Sequence, residues 1–586
     1  MTPTNAKVVC TLGPASDDRE TVAALADAGM RVARLNASHG SRAARRDLLD
    51  LVQTVDRDRD HPIATMVDLQ GPEIRTAAVE DAVHLETGST VRLVEGADAT
   101  PETVGLTVPL TGAAPGDRVL LDDGRIELSV TTVEDDAVSA RVESGGDLGS
   151  RKGVNVPGVT LDLDAVTDRD REEVALAVDA GADFVAASFV RDGEDVLAVR
   201  GAVEAAGGDQ PVIAKVERRG AAEQIESIVE TAYGVMVARG DLGVEYPMEE
   251  VPLIQKRIVR RCQTAGVPVI VATEMLDSMV HARRPTRAEA TDVANAVLDG
   301  ADAVMLSAET AVGDHPVRVV EAMDRIVGVT ETSDEYAELR EDRLPAAGAT
   351  HADALARAAR TLAADLDAAA VATATESGYT ARKVAKYRPP VPIVAATPDD
   401  EVRRRLALSW GVRPVRVERA DEAGRLVETT ADAALDEGVA ASGDTVVVLS
   451  GMMSVTGADT TNTLKVHVAA ETVATGQAVV AGQASGPVAH VDAGDEVDAD
   501  GVPEGAVLAL PTGFDATFEG DLGRIGAVVA AETGMTGYPA IIARELGVPM
   551  VSGAVLDLPD GAVVTVDGER GVVYRGDVRG PREAAQ

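Results

Sequence analysis

Cysteine and lysine are scarce in this chain of 586 residues, and long apolar runs are missing altogether. The two cysteines, Cys10 and Cys262, lie far apart, each in a short apolar run. That excludes a disulfide framework and a thiolate metal site, and marks both as small buried hydrophobes. No run approaches the roughly 20 apolar residues needed to span a bilayer. The opening MTPTNAKVV lacks the basic-then-apolar profile of a secretory signal. The expectation is a cytoplasmic protein with no membrane partner. Only seven lysines occur (Lys7, Lys152, Lys215, Lys256, Lys383, Lys386 and Lys465), so the other 48 basic residues are arginine. Against them stand 97 acidic residues and a net charge of −42. Such a surface repels nucleic acid, anionic membrane and itself. At about 1 M salt the screening length falls to roughly 3 Å and most of that repulsion vanishes. The composition is therefore of halophile type, suited to a molar-salt cytoplasm. What remains is ordinary for a folded protein, with 45% hydrophobic and 26% charged residues, and the length suggests about four domains at roughly 150 residues each.

Up to about residue 330, short apolar runs alternate with amphipathic segments. The runs are KVVCTLG (7–13), RVARLN (31–36), IATMVD (63–68), DFVAASF (183–189), PVIAKVE (211–217), GVMVARGD (234–241), VPVIVATE (267–274) and DAVMLSAE (302–309). They lack polar alternation, as parallel strands buried on both faces do. Thr286 with Glu289, and Thr167 ahead of an acidic first turn, mark helix starts. Eight strands alternating with helices predict a (β/α)₈ TIM barrel over 1–76 and 157–335. The rhythm breaks over 77–156, where hairpin signals such as Asp123-Gly124 predict an inserted β-barrel domain. A C-terminal α/β domain is expected over 345–471. A Gly- and Val-rich stretch over 473–586 reads as a further β/α domain.

In such a barrel, polar residues at strand ends are suspect. Here Arg34 and Asn36, Asp68, Lys215 and Glu217, Arg239-Gly240-Asp241, Thr273 and Glu274, and Ser307 and Glu309 close successive runs. One such residue is more often a cap or loop anchor; a whole set of them points to a site. Lys215 stands out because its ammonium, inside VIAKVE, must be desolvated or paired. A snorkelling structural lysine is the plainer reading. Glu217 and Asp241 are hard carboxylates suited to Mg²⁺ if they converge, and a pair of ion-paired surface acids if they do not. RGDLG also places backbone N–H groups where they could cradle a substrate carboxylate or phosphate.

The segments CTLGPAS, MRVARLNASHG, VDLQGPEIRT, GVNVPGV, AKVERRGA, VMVARGDLGVE and the long run from Ala272 to Thr310 closely resemble the pyruvate kinase family, in order, from residue 6 to about 470. The resemblance implies phosphoryl transfer between phosphoenolpyruvate and ADP, giving pyruvate and ATP. It implies that Lys215 touches the transferring phosphoryl group and stabilises the developing enolate, with Arg34 and Thr273 as further catalytic residues. Arg34, Lys215, Gly240, Asp241 and Thr273 would bind substrate, and Arg75, Arg169 and His39 the nucleotide. Glu217 and Asp241 would hold Mg²⁺ (or Mn²⁺), and Asn36, Ser38, Asp68 and position 69 would hold K⁺. The interrupting β domain would be a lid, and the assembly a homotetramer.

Several positions depart from the family pattern. Arg169 stands where lysine is common. Leu69 and Gln70 replace the Thr-Lys pair of potassium-dependent members, although Glu73 is the acid typical of them. TESGYT (375–380) resembles a sugar-phosphate effector loop but carries Glu376. The tail resembles a swivelling phosphohistidine domain whose Thr-Ser-His is here Thr536-Gly537-Tyr538, and tyrosine cannot relay phosphate as a phosphoramidate. His490, in PVAHVDAG, lies outside that motif. The tail therefore reads as a structural or assembly module. Two other readings stand beside this one. A Mg²⁺-dependent aldolase or lyase would leave the inserted domain and Arg75 unexplained, and a catalytically dead regulatory paralogue has no degraded position in its support except the tail histidine.

Overall fold

The computed structural model describes residues 4–110, 112–134, 137–159, 163–419, 423–451, 461–492 and 497–578. The eight apolar runs form eight parallel strands: β1 (Lys7–Thr11), β2 (Met30–Asn36), β3 (Ala64–Asp68), β4 (Phe184–Ala187), β5 (Val212–Val216), β6 (Gly234–Ala238), β7 (Val269–Ala272) and β8 (Ala303–Leu306). They pair in sequence order, and β8 pairs back onto β1 to close a barrel. Nearly every strand residue is buried, because the barrel interior covers one face and the helices the other. The expected helix starts are capping boxes: Thr167 pairs reciprocally with Asp170, and Thr286 with Glu289.

Period two still decides which side chains point inward. Val9, Val32, Ala64 and Met66, Phe184 and Ala186, Ile213, Met236, Ile270, and Ala303 and Met305 form one buried cluster drawn from all eight strands. Two residues further along, at the C-terminal ends, the same register brings in Thr11, Arg34, Asp68, Ser188, Lys215 and Ser307. Apolar packing thus fills the barrel, and polar side chains line its mouth.

Between β3 and β4 lies a seven-stranded sheet, ordered Ile74–Arg75, Gly153–Asn155, Arg118–Leu121, Ile126–Val133, Ala137–Ser144, Thr90–Glu95 and Thr103–Leu106. It has its own apolar core, including Val91, Leu93, Leu121 and Leu128. The Asp123-Gly124 signal is a hairpin turn. Leu121 pairs with Ile126, and Asp122, Asp123 and Gly124 between them take φ of 52°, 56° and 82°.

Further along, Ile393–Thr397, Ala370–Ala374 and Thr445–Ser450 run parallel, as alternation with helices requires. Thr463–Val468 instead runs antiparallel to Thr445–Ser450. The tail forms a mixed eight-stranded sheet with Ala506–Leu510 and Ile525–Ala530 near its centre. Its helix, Tyr538–Leu546, begins at Thr536-Gly537-Tyr538 with Gly537 as N-cap. Among the described residues, no helix is long and apolar enough to cross a membrane.

Candidate active site

The ends of β2, β3 and β5 place two cations around one buried carboxylate. Arg34 Nε donates to Asp68 Oδ2 at 2.6 Å, and Lys215 Nζ lies 3.2 Å from Asp68 Oδ1. Arg34 Nη1 also donates to Thr11 Oγ1 at 2.9 Å. Lys215 completes its set with Glu217 Oε1 at 2.9 Å and the Ser188 Oγ at 2.7 Å, so three acceptors surround its ammonium. Burial alone would push the Lys215 ammonium down, but the charges of Asp68 and Glu217 outweigh it and hold the group above its ordinary value. Asp68 is the mirror case: burial would raise it, and Lys215 and Arg34 hold it below the usual carboxylate range. Lys215 is therefore a fixed positive charge at neutral pH, fitted to stabilise an anion and unfit to accept a proton.

The carboxylates Glu217 and Asp241 do converge beside it. Glu217 Oε2 accepts the N–H of Phe189 at 2.6 Å, a bond that Phe189 makes from φ 58°. Asp241 sits in the first turn of the helix Arg239–Glu245, immediately after β6. Burial, reinforced by the charge of Glu217, raises its carboxyl to about 7 against the opposing pull of Lys215; Asp123 and Glu73 add to the rise. No hydrogen bond or ion pair reaches the Asp241 side chain among the described residues. Nor is there among them a cluster of three or more His, Cys, Asp or Glu arranged for a metal. A cation here would thus take two protein carboxylates and fill its remaining positions from water or substrate, which is the habit of Mg²⁺.

Backbone strain shapes the next part of the mouth. Thr273 and Glu274, past the end of β7, take φ of 77° and 54°. For a β-branched residue this costs on the order of 1–3 kcal/mol and persists only where the surroundings enforce it. Arg239 is the enforcer: it donates to Thr273 O at 2.8 Å and Ala272 O at 3.1 Å, and pairs with Asp292 at 2.7 Å. Gly240 is glycine for a steric reason, since a Cβ there would stand 2.8 Å from Thr273 Cγ2. Glu309 likewise proves to be an anchor, accepting from Ser307 N at 2.6 Å and Leu276 N at 3.1 Å.

On the other side, Ser38 N donates to Asn36 Oδ1 at 3.0 Å, and Ala37 N to Asp68 O at 2.8 Å, so Asn36, Ser38 and Asp68 are neighbours. Leu69 N donates to Ala186 O, and its carbonyl accepts from Ser188 Oγ at 2.7 Å. Arg169, exposed, donates to Ala37 O at 2.9 Å, and Arg45 donates to His39 O at 2.6 Å, placing Arg169 beside the loop that carries His39. Arg75 stands in the inserted sheet, paired with Glu73 at 2.8 Å and donating to Arg151 O at 2.9 Å. Those partners do not include the Lys215 group. In the tail, Tyr538 is exposed, with its ring 5.8 Å from that of Phe518. Both ring nitrogens of His490 are engaged, Nδ1 with Asp560 at 2.8 Å and Nε2 with Leu556 O at 3.1 Å.

Two members of the mouth escape a reading of polar strand ends alone, Thr11 and Ser188. Both follow from alternation, two residues beyond the interior Val9 and Ala186. The scarcity of lysine also means something broader than a site. Lys7 donates to Val412 O, Lys152 pairs with Asp122, Lys256 with Asp299, and Lys383 and Lys386 with Asp353. Six of the seven lysines thus have a polar partner, and three acceptors at the barrel mouth are what set Lys215 apart.

Comparison with known proteins adds to this geometry. Residues 4–320 match a family model described as pyruvate kinase, barrel domain, and residues 353–467 one described as pyruvate kinase, alpha/beta domain. Residues 502–571 match the mobile domain of PEP-utilising enzymes. The pyruvate kinase of Geobacillus stearothermophilus is 40% identical over 581 residues, covering 97% of this chain and 98% of its own length. Those of Bacillus licheniformis and Sporosarcina psychrophila are each 38% identical over 582 residues, with the same coverage.

Proposed function

The chain belongs to the pyruvate kinase family, and from that premise we propose that it transfers the phosphoryl group of phosphoenolpyruvate to ADP, giving pyruvate and ATP. The observation that carries this is the pair of buried cations, Arg34 and Lys215, cross-braced by Asp68 beside Glu217 and Asp241. Phosphoryl transfer asks little covalent help and much fixed positive charge. Lys215 faces the transferring group and the developing enolate, and Arg34 holds the phosphoryl oxygens. Thr273, Gly240 and Asp241 receive the substrate carboxylate. Arg75, Arg169 and His39 serve the nucleotide phosphates, with the inserted sheet as a lid that excludes water.

Glu217 and Asp241 would hold Mg²⁺ or Mn²⁺; a carboxylate whose proton affinity is raised by burial and by a second carboxylate beside it suits a divalent ion, which when bound neutralises phosphoryl charge. Asn36, Ser38, Asp68 and the carbonyl of Leu69 form an all-oxygen set suited to K⁺, with Leu69 supplying its main chain only. The setting is a high-salt cytoplasm, and the assembly a homotetramer. The tail acts in assembly or salt tolerance rather than as a phosphate relay, because Tyr538 has no imidazole and both ring nitrogens of His490 are occupied. A coupled assay for ATP formed from ADP and phosphoenolpyruvate at molar salt tests the central reading. Pyruvate release without ATP, or no turnover of the folded protein, would overturn it. Release of pyruvate by carbon–carbon cleavage would favour the aldolase or lyase.

A further inference from the structure

Ser188 lies one residue beyond β4, in the inward register of Phe184 and Ala186, and is 6% exposed. Its hydroxyl has one proton and two acceptors in range, the Leu69 carbonyl at 2.7 Å and Asp68 Oδ1 at 3.4 Å. The shorter contact takes the proton. The oxygen lone pairs are then left to Lys215, which donates to them at 2.7 Å, the shortest of its three contacts. The other two acceptors are carboxylates that already have donors, Arg34 for Asp68 and the Phe189 N–H for Glu217. Without the serine, the ammonium would settle between two negative charges, and its third N–H would have no fixed direction. Gly71 packs so closely on the serine that a Cβ there would stand 2.9 Å from the Ser188 Cβ.

We propose that Ser188 is a positioning residue for the reaction: it fixes the direction of the Lys215 ammonium and ties it to the main-chain carbonyl of Leu69. This assignment rests on the phosphoryl-transfer reading. The test uses the full chain with Ser188→Ala and with Ser188→Cys, which nearly keeps the volume but not the strong hydrogen bond. Loss of one hydrogen bond to a charged group should lower kcat roughly ten- to hundredfold. The KM for phosphoenolpyruvate should stay within about twofold, since the lost interaction matters most in the transition state. A second readout does not need activity. With only seven lysines, side-chain ¹⁵N labelling resolves the Lys215 ammonium, identified by its disappearance in Lys215→Met. Its signal should shift, and its protons exchange faster, in both serine variants. Either kcat within about twofold of wild type in both variants or an unmoved ammonium signal overturns the assignment. An inactive wild-type protein would sink the phosphoryl-transfer reading instead, and the ammonium signal would still report whether Ser188 positions Lys215.

Discussion

Replacing Lys215 by methionine removes the cation that Asp68 and Glu217 share, with consequences for each of its neighbours. The side chain is nearly isosteric, so packing changes little. Asp68 keeps Arg34 at 2.6 Å, and Glu217 keeps the Phe189 N–H at 2.6 Å. Neither carboxylate is left bare, so the cost should fall below the roughly 3–5 kcal/mol of stripping a buried pair to a lone charge, nearer about 1–3 kcal/mol. The site becomes more anionic, and Mn²⁺ titrated against the variant should bind as well as to wild type or better. Turnover is another matter. Preorganised charge at a developing anion is worth on the order of 10²–10³ in rate. The assay is ATP formation at saturating phosphoenolpyruvate, ADP and divalent ion, with the melting midpoint measured in the same buffer. A folded variant that binds Mn²⁺ and keeps half of wild-type turnover would refute the reasoning and make Lys215 a structural cation.

Other perturbations address the charge, the cation site, the tail and one buried lysine. Stability and activity should both fall as salt drops from about 1 M to 0.05 M, where screening reaches well beyond 10 Å; a flat response would detach the −42 charge from salt dependence. Potassium should stimulate turnover relative to a large organic cation at fixed ionic strength, and equal rates would remove Asn36, Ser38, Asp68 and Leu69 from any monovalent site. Deleting residues 473–586 should leave phosphoryl-transfer constants per active site near wild type while weakening assembly or salt tolerance; a hundredfold loss in a folded, assembled enzyme would give the tail a part in the reaction. Lys7 is buried against Val412 O and pushed down to about 7 by burial and by Arg31. Above that value the unfolded chain binds the extra proton, so stability should rise with pH between about 7 and 10, by up to about 1.4 kcal/mol per unit. Denaturant midpoints at pH 7, 8 and 9 should show this slope in wild type and lose it in Lys7→Met.

The barrel was legible in the sequence because burial on both faces forces uninterrupted Val, Ile and Ala runs, and the hairpin at Asp123-Gly124 because left-handed turns select Asp and Gly. The convergence of Lys215, Glu217 and Asp241 followed from strand ends alone, since a closed parallel barrel brings every C-terminal end to one rim. Three things needed the tertiary structure. Whether a polar strand end is chemistry or anchor depends on partners distant in sequence: Arg239 and Lys215 look alike in the chain, yet one holds the Thr273 backbone and the other faces Asp68, Glu217 and Ser188. The role of Ser188 is set by a proton that goes to Leu69, 119 residues away in the chain. The charge states of Asp68, Lys215 and Asp241 are sums over burial and neighbours that no local pattern encodes, because electrostatic energy depends on distance and desolvation rather than on order along the chain.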